Sequence, residues 1–169
     1  MAYTLEDMAA DLRQELQAKQ ADECSDALCQ IVARALNDDA FVAAHLQDRV
    51  EGAHPREVLF EDPDLGFCIC GHVYEGAAES APHDHGSSWA IYGQAEGVTE
   101  MSDWAVVEKG GTDRPARVVL ERTYELARGD AHFYGVGTVH SPRRTASTRL
   151  IRVEGANLDH VERSWIEAA

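Results

Sequence analysis

Apolar residues recur at helical spacing through the first third of the chain and then switch to a shorter period. Leu5, Met8, Leu12 and Leu16 fall three or four apart, which predicts an amphipathic helix over 4–19. Thr4 is placed to cap it, with Asp7 three residues on. Leu28, Ile31, Val32, Ala35 and Leu36 predict a second helix over 24–36, and Phe41, Val42 and Leu46 a short third over 38–47. This segment carries no cluster of chemical groups. Its expected role is to cover an edge or face of the remaining two thirds of the chain.

From about residue 56 glycine becomes frequent, β-branched and aromatic residues rise, and short runs alternate with turns. Strands are expected at 56–61, 66–74, 81–85, 88–95, 97–107, 116–126, 129–134, 138–144 and 148–154. Turn signals separate them at Asp62-Pro63-Asp64, Glu75-Gly76, Lys109-Gly110-Gly111-Thr112, Arg128-Gly129-Asp130 and Gly135-Val136-Gly137. Many short strands at near-regular spacing predict an antiparallel sandwich or barrel, so the fold class is mainly β with an N-terminal helical segment. No repeat or linker interrupts the chain. Residues 1–169 read as one domain, with helices in 1–50 packing on a barrel over 55–160.

Charge narrows the function classes. The chain has 30 acidic and 15 basic side chains, a formal net charge of −15. Such a surface repels phosphate backbones and anionic lipid headgroups, which argues against nucleic-acid and membrane partners. No apolar run approaches the roughly 20 residues of a membrane span. The N-terminal stretch MAYTLEDMAADLRQ lacks a basic start before an apolar run, so the expected location is cytoplasmic.

The four cysteines do not make a disulfide framework for a cytosolic chain of this size. Cys68-Ile69-Cys70-Gly71-His72 places two thiols and an imidazole at alternate strand positions. That pattern fits either a soft metal site or small buried side chains, and no fourth ligand lies nearby in sequence.

The strongest chemical signal is Pro82-His83-Asp84-His85-Gly86. In an extended segment, side chains two apart share a face, so His83 and His85 can aim at one point, and paired imidazoles are a first-row transition-metal signal. Asp84 alternates away and reads as a turn or surface group. Downstream, Gly129, five residues, Gly135, one residue, Gly137, two residues and His140 supply a third imidazole. His132 reads as a hydrogen-bonded barrel side chain, and Trp89, Tyr92, Phe133 and Tyr134 as barrel core.

These two stretches resemble the paired motifs of the cupins. In the first, His83-x-His85 is followed by four residues, Ala90, six residues and Gly97. Ala90 stands where the cupin motif has glutamate. Gly135 and Arg144 replace the proline and asparagine of the second motif, and Gly76 lies one residue further upstream than the pattern has its glycine. The resemblance implies a double-stranded β-helix, or jelly-roll barrel, with a metal held by His83, His85 and His140 and no carboxylate. The run HDHGSSWAIYGQAEG further resembles the cysteine dioxygenase-type thiol dioxygenases, which use a three-histidine ferrous site.

That likeness implies a mononuclear non-haem Fe(II) dioxygenase that oxidises a small anionic thiol to a sulfinate with O2. Nickel, zinc and manganese are other metals such a site accepts. Three neutral imidazoles leave the ion its full charge and open positions for an anionic substrate and dioxygen. By alignment Arg56 is the residue for a substrate carboxylate, with Arg143, Arg144, Arg149 and Arg152 as other basic groups in range. Animal-type enzymes have a cysteine at the Ala90 position, cross-linked to a tyrosine, and a Ser-His-Tyr triad; this chain has neither. These departures count against cysteine itself as substrate. The alternatives are a three-histidine cupin dioxygenase acting on a β-diketone or enolate, and a non-catalytic metal-binding sensor. The resemblance implies a monomer or homodimer.

Overall fold

The computed structural model describes residues 3–169. Helix α1 spans Leu5–Ala18, α2 Ser25–Leu36 and α3 Asp39–His45, with a 3-10 turn at Ala21–Glu23. The start of α1 is set by a capping box: Thr4 Oγ1 accepts from the Asp7 N–H, and the Asp7 carboxylate accepts from the Thr4 N–H. Asp38 caps α3 through the N–H groups of Ala40 and Phe41.

Ten strands come after the helices: β1 (Arg56–Glu61), β2 (Cys68–Tyr74), β3 (Ala78–Glu79), β4 (Ala90–Glu96), β5 (Thr99–Glu108), β6 (Ala116–Leu126), β7 (Ala131–Tyr134), β8 (Val139–Arg144), β9 (Thr148–Glu154) and β10 (Ile166–Ala168). They form two five-stranded sheets, ordered β1-β2-β9-β4-β7 and β10-β6-β5-β8-β3. Strands β2 to β9 thus pair as β2-β9-β4-β7 against β3-β8-β5-β6, all antiparallel, which is the strand order of a jelly roll. The fold is a double-stranded β-helix, or jelly roll, preceded by a helical segment.

Strand alternation sends one set of side chains to each face of the first sheet. Ile69, Val73, Ile91, Ile151 and Val153 join Met8, Leu12, Leu28, Val32, Leu36 and Leu46 in one buried cluster, so the helices cover the outer face. Contact there is close: a Cβ on Gly93 would lie 2.5 Å from Val32 and 2.9 Å from Leu36. The intervening positions His72, Tyr92, Leu150 and Arg152 line a cavity between the sheets. Trp89 and Phe133 pack with the helix-side core, whereas Tyr92 and Tyr134 belong to an interior cluster with Ala90, Met101 and Leu126.

The strand expected at 81–85 does not form. Its only pairing is a single bridge between His83 and His140, and the strand in this region is the shorter β3. Pro82 has no N–H for a ladder, and Gly86 takes φ +57°, where the chain turns. The hydrophobic pattern does not predict strand β10 or the 3-10 turn at Leu158–His160.

Candidate metal centre

Three histidines from two segments, the loop bearing His83 and His85 and strand β8 bearing His140, meet beside the cavity that His83 lines. The His83–His140 bridge has both backbone hydrogen bonds, His83 N to His140 O at 3.0 Å and His140 N to His83 O at 2.9 Å. This locks the loop bearing His83 and His85 onto β8. Gly86 closes that loop, where a Cβ would meet the Glu162 carbonyl oxygen at 2.1 Å. Asp84 is buried in the turn. It accepts from the N–H of Gly86 at 3.0 Å, the N–H of Ser164 at 3.1 Å and the Ser164 hydroxyl at 2.6 Å. Burial alone would raise its pKa, but these hydrogen bonds win and the carboxyl titrates below its usual range.

One ring nitrogen from each of His83, His85 and His140 lies within 4.8 Å of the others. Among the described residues, no other group of three His, Cys, Asp or Glu side chains places its donor atoms so. His83 Nδ1 faces the Ala81 carbonyl at 2.9 Å and His140 Nδ1 the Thr138 carbonyl at 3.2 Å. A carbonyl can only accept, so each Nδ1 carries the proton and each Nε2 keeps its lone pair. Burial depresses all three imidazoles. His85 is pushed down to about 2, by burial and then by His140 and Arg152, and His140 to about 3, by burial and then by His83. His83 is lowered for the same first reason. The trio is therefore neutral and ready to donate to a metal.

The donor set fits a divalent first-row ion. Ala90 is fully buried on the interior face of β4 and brings no carboxylate, and Asp84 is turned to Ser164 and Gly86. What the site presents instead is a phenol: Tyr92 Oη lies 3.1 Å from His85 Nε2 and 3.3 Å from His140 Nε2.

The adjoining cavity has a volume of about 340 Å³ and opens past His83 and Tyr92 toward Arg56, Arg144, Arg152 and Arg163. It is a basic pocket in an acidic chain. The four guanidiniums are not equivalent. Arg56 is bound by Glu154 at 2.7 and 3.2 Å, Asp159 at 2.7 Å and Asn157 at 3.0 Å. Arg144 lies over the Tyr74 ring at 4.3 Å and donates Nε–H to the Gly76 carbonyl at 3.1 Å. Arg152 lies 4.4 Å over the Tyr92 ring, and its ion pair is a long one, 3.6 Å to Glu154. Arg143 and Arg149 point elsewhere, to Glu100 and to Leu46, Asp48 and Glu96.

Cys68 and Cys70 are buried thiols whose pKa values rise to about 11 and about 12, first through burial and then through neighbouring carboxylates. They do not gather with His72 as a ligand group. His72 instead lines the cavity: its Nδ1 lies 2.8 Å from Tyr74 Oη, while its buried Nε2 has no hydrogen-bond partner. His132 packs between the rings of Tyr124 and Tyr134. Tyr92 and Arg163 are the site groups that pattern reading passes over. For Tyr92 the signal in the sequence is its position two residues past Ala90, on the same strand face.

No family model and no curated protein matches the sequence. Similar solved structures include cupin and double-stranded β-helix proteins. One is a cupin superfamily protein from Desulfitobacterium hafniense, at 7% identity over 72% of this chain and 84% of that one, with a TM-score of 0.45. Another is a conserved double-stranded β-helix protein from Klebsiella pneumoniae, at 15% identity over 72% and 85%, with a TM-score of 0.47. KdgF from Halomonas sp. matches at 15% identity over 67% and 90%, also with a TM-score of 0.47.

Proposed function

We propose that the protein is a mononuclear non-haem Fe(II) dioxygenase that adds both atoms of O2 to the sulfur of a small anionic thiol, giving a sulfinate. The observation that carries this reading is the convergence of three neutral histidines, without a carboxylate, beside a cavity lined by His83 and by guanidiniums. Iron(II) in that place supplies the electrons that make ground-state dioxygen reactive toward sulfur.

The chain's own residues do the rest. His83, His85 and His140 hold the ion. Arg152 receives the substrate carboxylate, because its one ion pair, to Glu154, is long at 3.6 Å and its guanidinium stands one aromatic ring away from the donor nitrogens. Arg56 is the framework that keeps Glu154 paired. The partnerless His72 Nε2 is a second polar contact for the bound anion, and Leu150 and Leu158 keep water from that end of the cavity.

The test is anaerobic loading with Fe(II), then oxygen uptake with cysteine, 3-mercaptopropionate, cysteamine and an aromatic thiol. Uptake is expected with carboxylate-bearing thiols and not with cysteamine, which offers Arg152 no anion. Uptake with a β-diketone alone moves the protein to enolate cleavage. Absence of uptake with every compound removes the enzyme reading and leaves a metal-binding sensor.

A further inference from the structure

We propose that the Tyr92 phenol oxygen is a fourth protein donor to the metal held by His83, His85 and His140. The inference rests on the metal-centre reading above and adds to it a ligand of different charge. The first support is geometric. Two donors each about 2.1 Å from one ion stand about 3.0 Å apart at a right angle and about 3.4 Å apart at the tetrahedral angle. Tyr92 Oη stands 3.1 Å from His85 Nε2 and 3.3 Å from His140 Nε2, which is where a donor sharing their ion belongs.

The second support is the lack of other work for this hydroxyl. Tyr92 is buried on the interior face of β4, and among the described residues the two imidazole nitrogens are its hydrogen-bond partners. Ala90, one strand repeat earlier on the same face, leaves no competing side-chain donor. The third support is charge. Coordination as phenolate releases one proton and leaves a negative oxygen in the interior, and the Arg152 guanidinium lies 4.4 Å over that ring to balance it.

The consequence reaches the substrate. A fourth protein donor would leave one position fewer on the ion for substrate. A thiol substrate would then meet the metal through sulfur alone, and its carboxylate would be held by the protein, at Arg152.

The experiment is visible absorption and resonance Raman spectroscopy of the protein loaded with iron and oxidised to the ferric state, beside Tyr92→Phe and Tyr134→Phe. Iron content and far-ultraviolet circular dichroism are measured on the same samples. The expected result is a phenolate-to-iron charge-transfer band in the visible, with tyrosinate ring modes enhanced within it. That band is lost in Tyr92→Phe, which still carries iron on three histidines, and kept in Tyr134→Phe. Iron-loaded wild type without the band overturns the Tyr92 assignment and leaves the three-histidine centre standing. A band that survives in Tyr92→Phe overturns it equally. Wild type that takes up no iron overturns the metal centre and this inference together. Should Tyr92→Phe prove unfolded, the resonance Raman modes of wild type and Tyr134→Phe decide the matter alone.

Discussion

The Arg152 guanidinium lies 4.4 Å over the ring of Tyr92, and the hydroxyl of that ring reaches the Nε2 atoms of both His85 and His140. A weakly paired positive charge of the cavity is thus joined to the donor cluster through a single side chain. Tyr92 and Arg152 are paired across β4 and β9, two neighbouring strands of one sheet.

Replacing Arg152 with Met removes the charge over Tyr92 while keeping most of the side chain's apolar stem. A charged hydrogen bond to a substrate carboxylate is worth about 1.5–3 kcal/mol. The KM for an anionic thiol is therefore expected to rise about 10- to 100-fold, with iron content unchanged. Steady-state kinetics with anionic and neutral thiols check this; an equal rise for both would contradict it.

Arg56 is expected to behave oppositely. It lies on β1 and forks onto Glu154, a wholly buried carboxylate that also accepts from the Leu158 N–H at 3.1 Å. Removing one partner of a buried pair leaves an uncompensated charge, at a cost of about 3 kcal/mol or more. Arg56→Met should lower the urea midpoint strongly while the protein that remains folded keeps its KM. A stable variant with a raised KM would return the substrate role to Arg56.

Acid stability is set by the buried imidazoles. Burial, the leading cause in each case, lowers the pKa values of His72, His83, His85 and His140 in the folded chain. Once released, these residues take up protons below about pH 6.5. The unfolded state then binds more protons than the folded one, so stability present above that pH is lost as it falls. The Tm of metal-free protein should drop progressively as pH falls from about 7 toward 5, and far less once metal is bound. A Tm independent of pH over that range would mean the imidazoles are solvated.

The docking of α2 on β4 can be tested at Gly93. A Cβ there meets Val32 at 2.5 Å, Leu36 at 2.9 Å and the Ile151 carbonyl oxygen at 3.2 Å. Gly93→Val is expected to cost about 1–3 kcal/mol through overpacking, read as a lower denaturation midpoint. An unchanged midpoint would place the helix further from the sheet.

Much of this architecture is readable from alternation. The strands at 56–61, 116–126 and 148–154 have the bounds predicted for them, because runs rich in β-branched and aromatic residues stop at turn signals. The histidine trio is readable because three residues at motif spacing carry the chemistry themselves. What escapes the pattern depends on contacts across the sheets. Whether Arg56 or Arg152 has charge to spare turns on Glu154, 98 residues beyond Arg56 in sequence. Tyr92 looks like any aromatic core residue until the fold sets its hydroxyl between two imidazoles. The stretch 81–85 resembles a strand because its histidines alternate, yet Pro82 and the left-handed Gly86 make it a pinned loop.

Whether His83, His85 and His140 hold one metal ion is read from metal content after anaerobic Fe(II) loading and desalting. The wild-type chain is expected to retain one iron per molecule. His140→Ala, which removes the ligand on β8 and leaves the loop pair, is expected to retain a small fraction of that while keeping its circular dichroism. Stoichiometric iron in His140→Ala would contradict the ligand assignment.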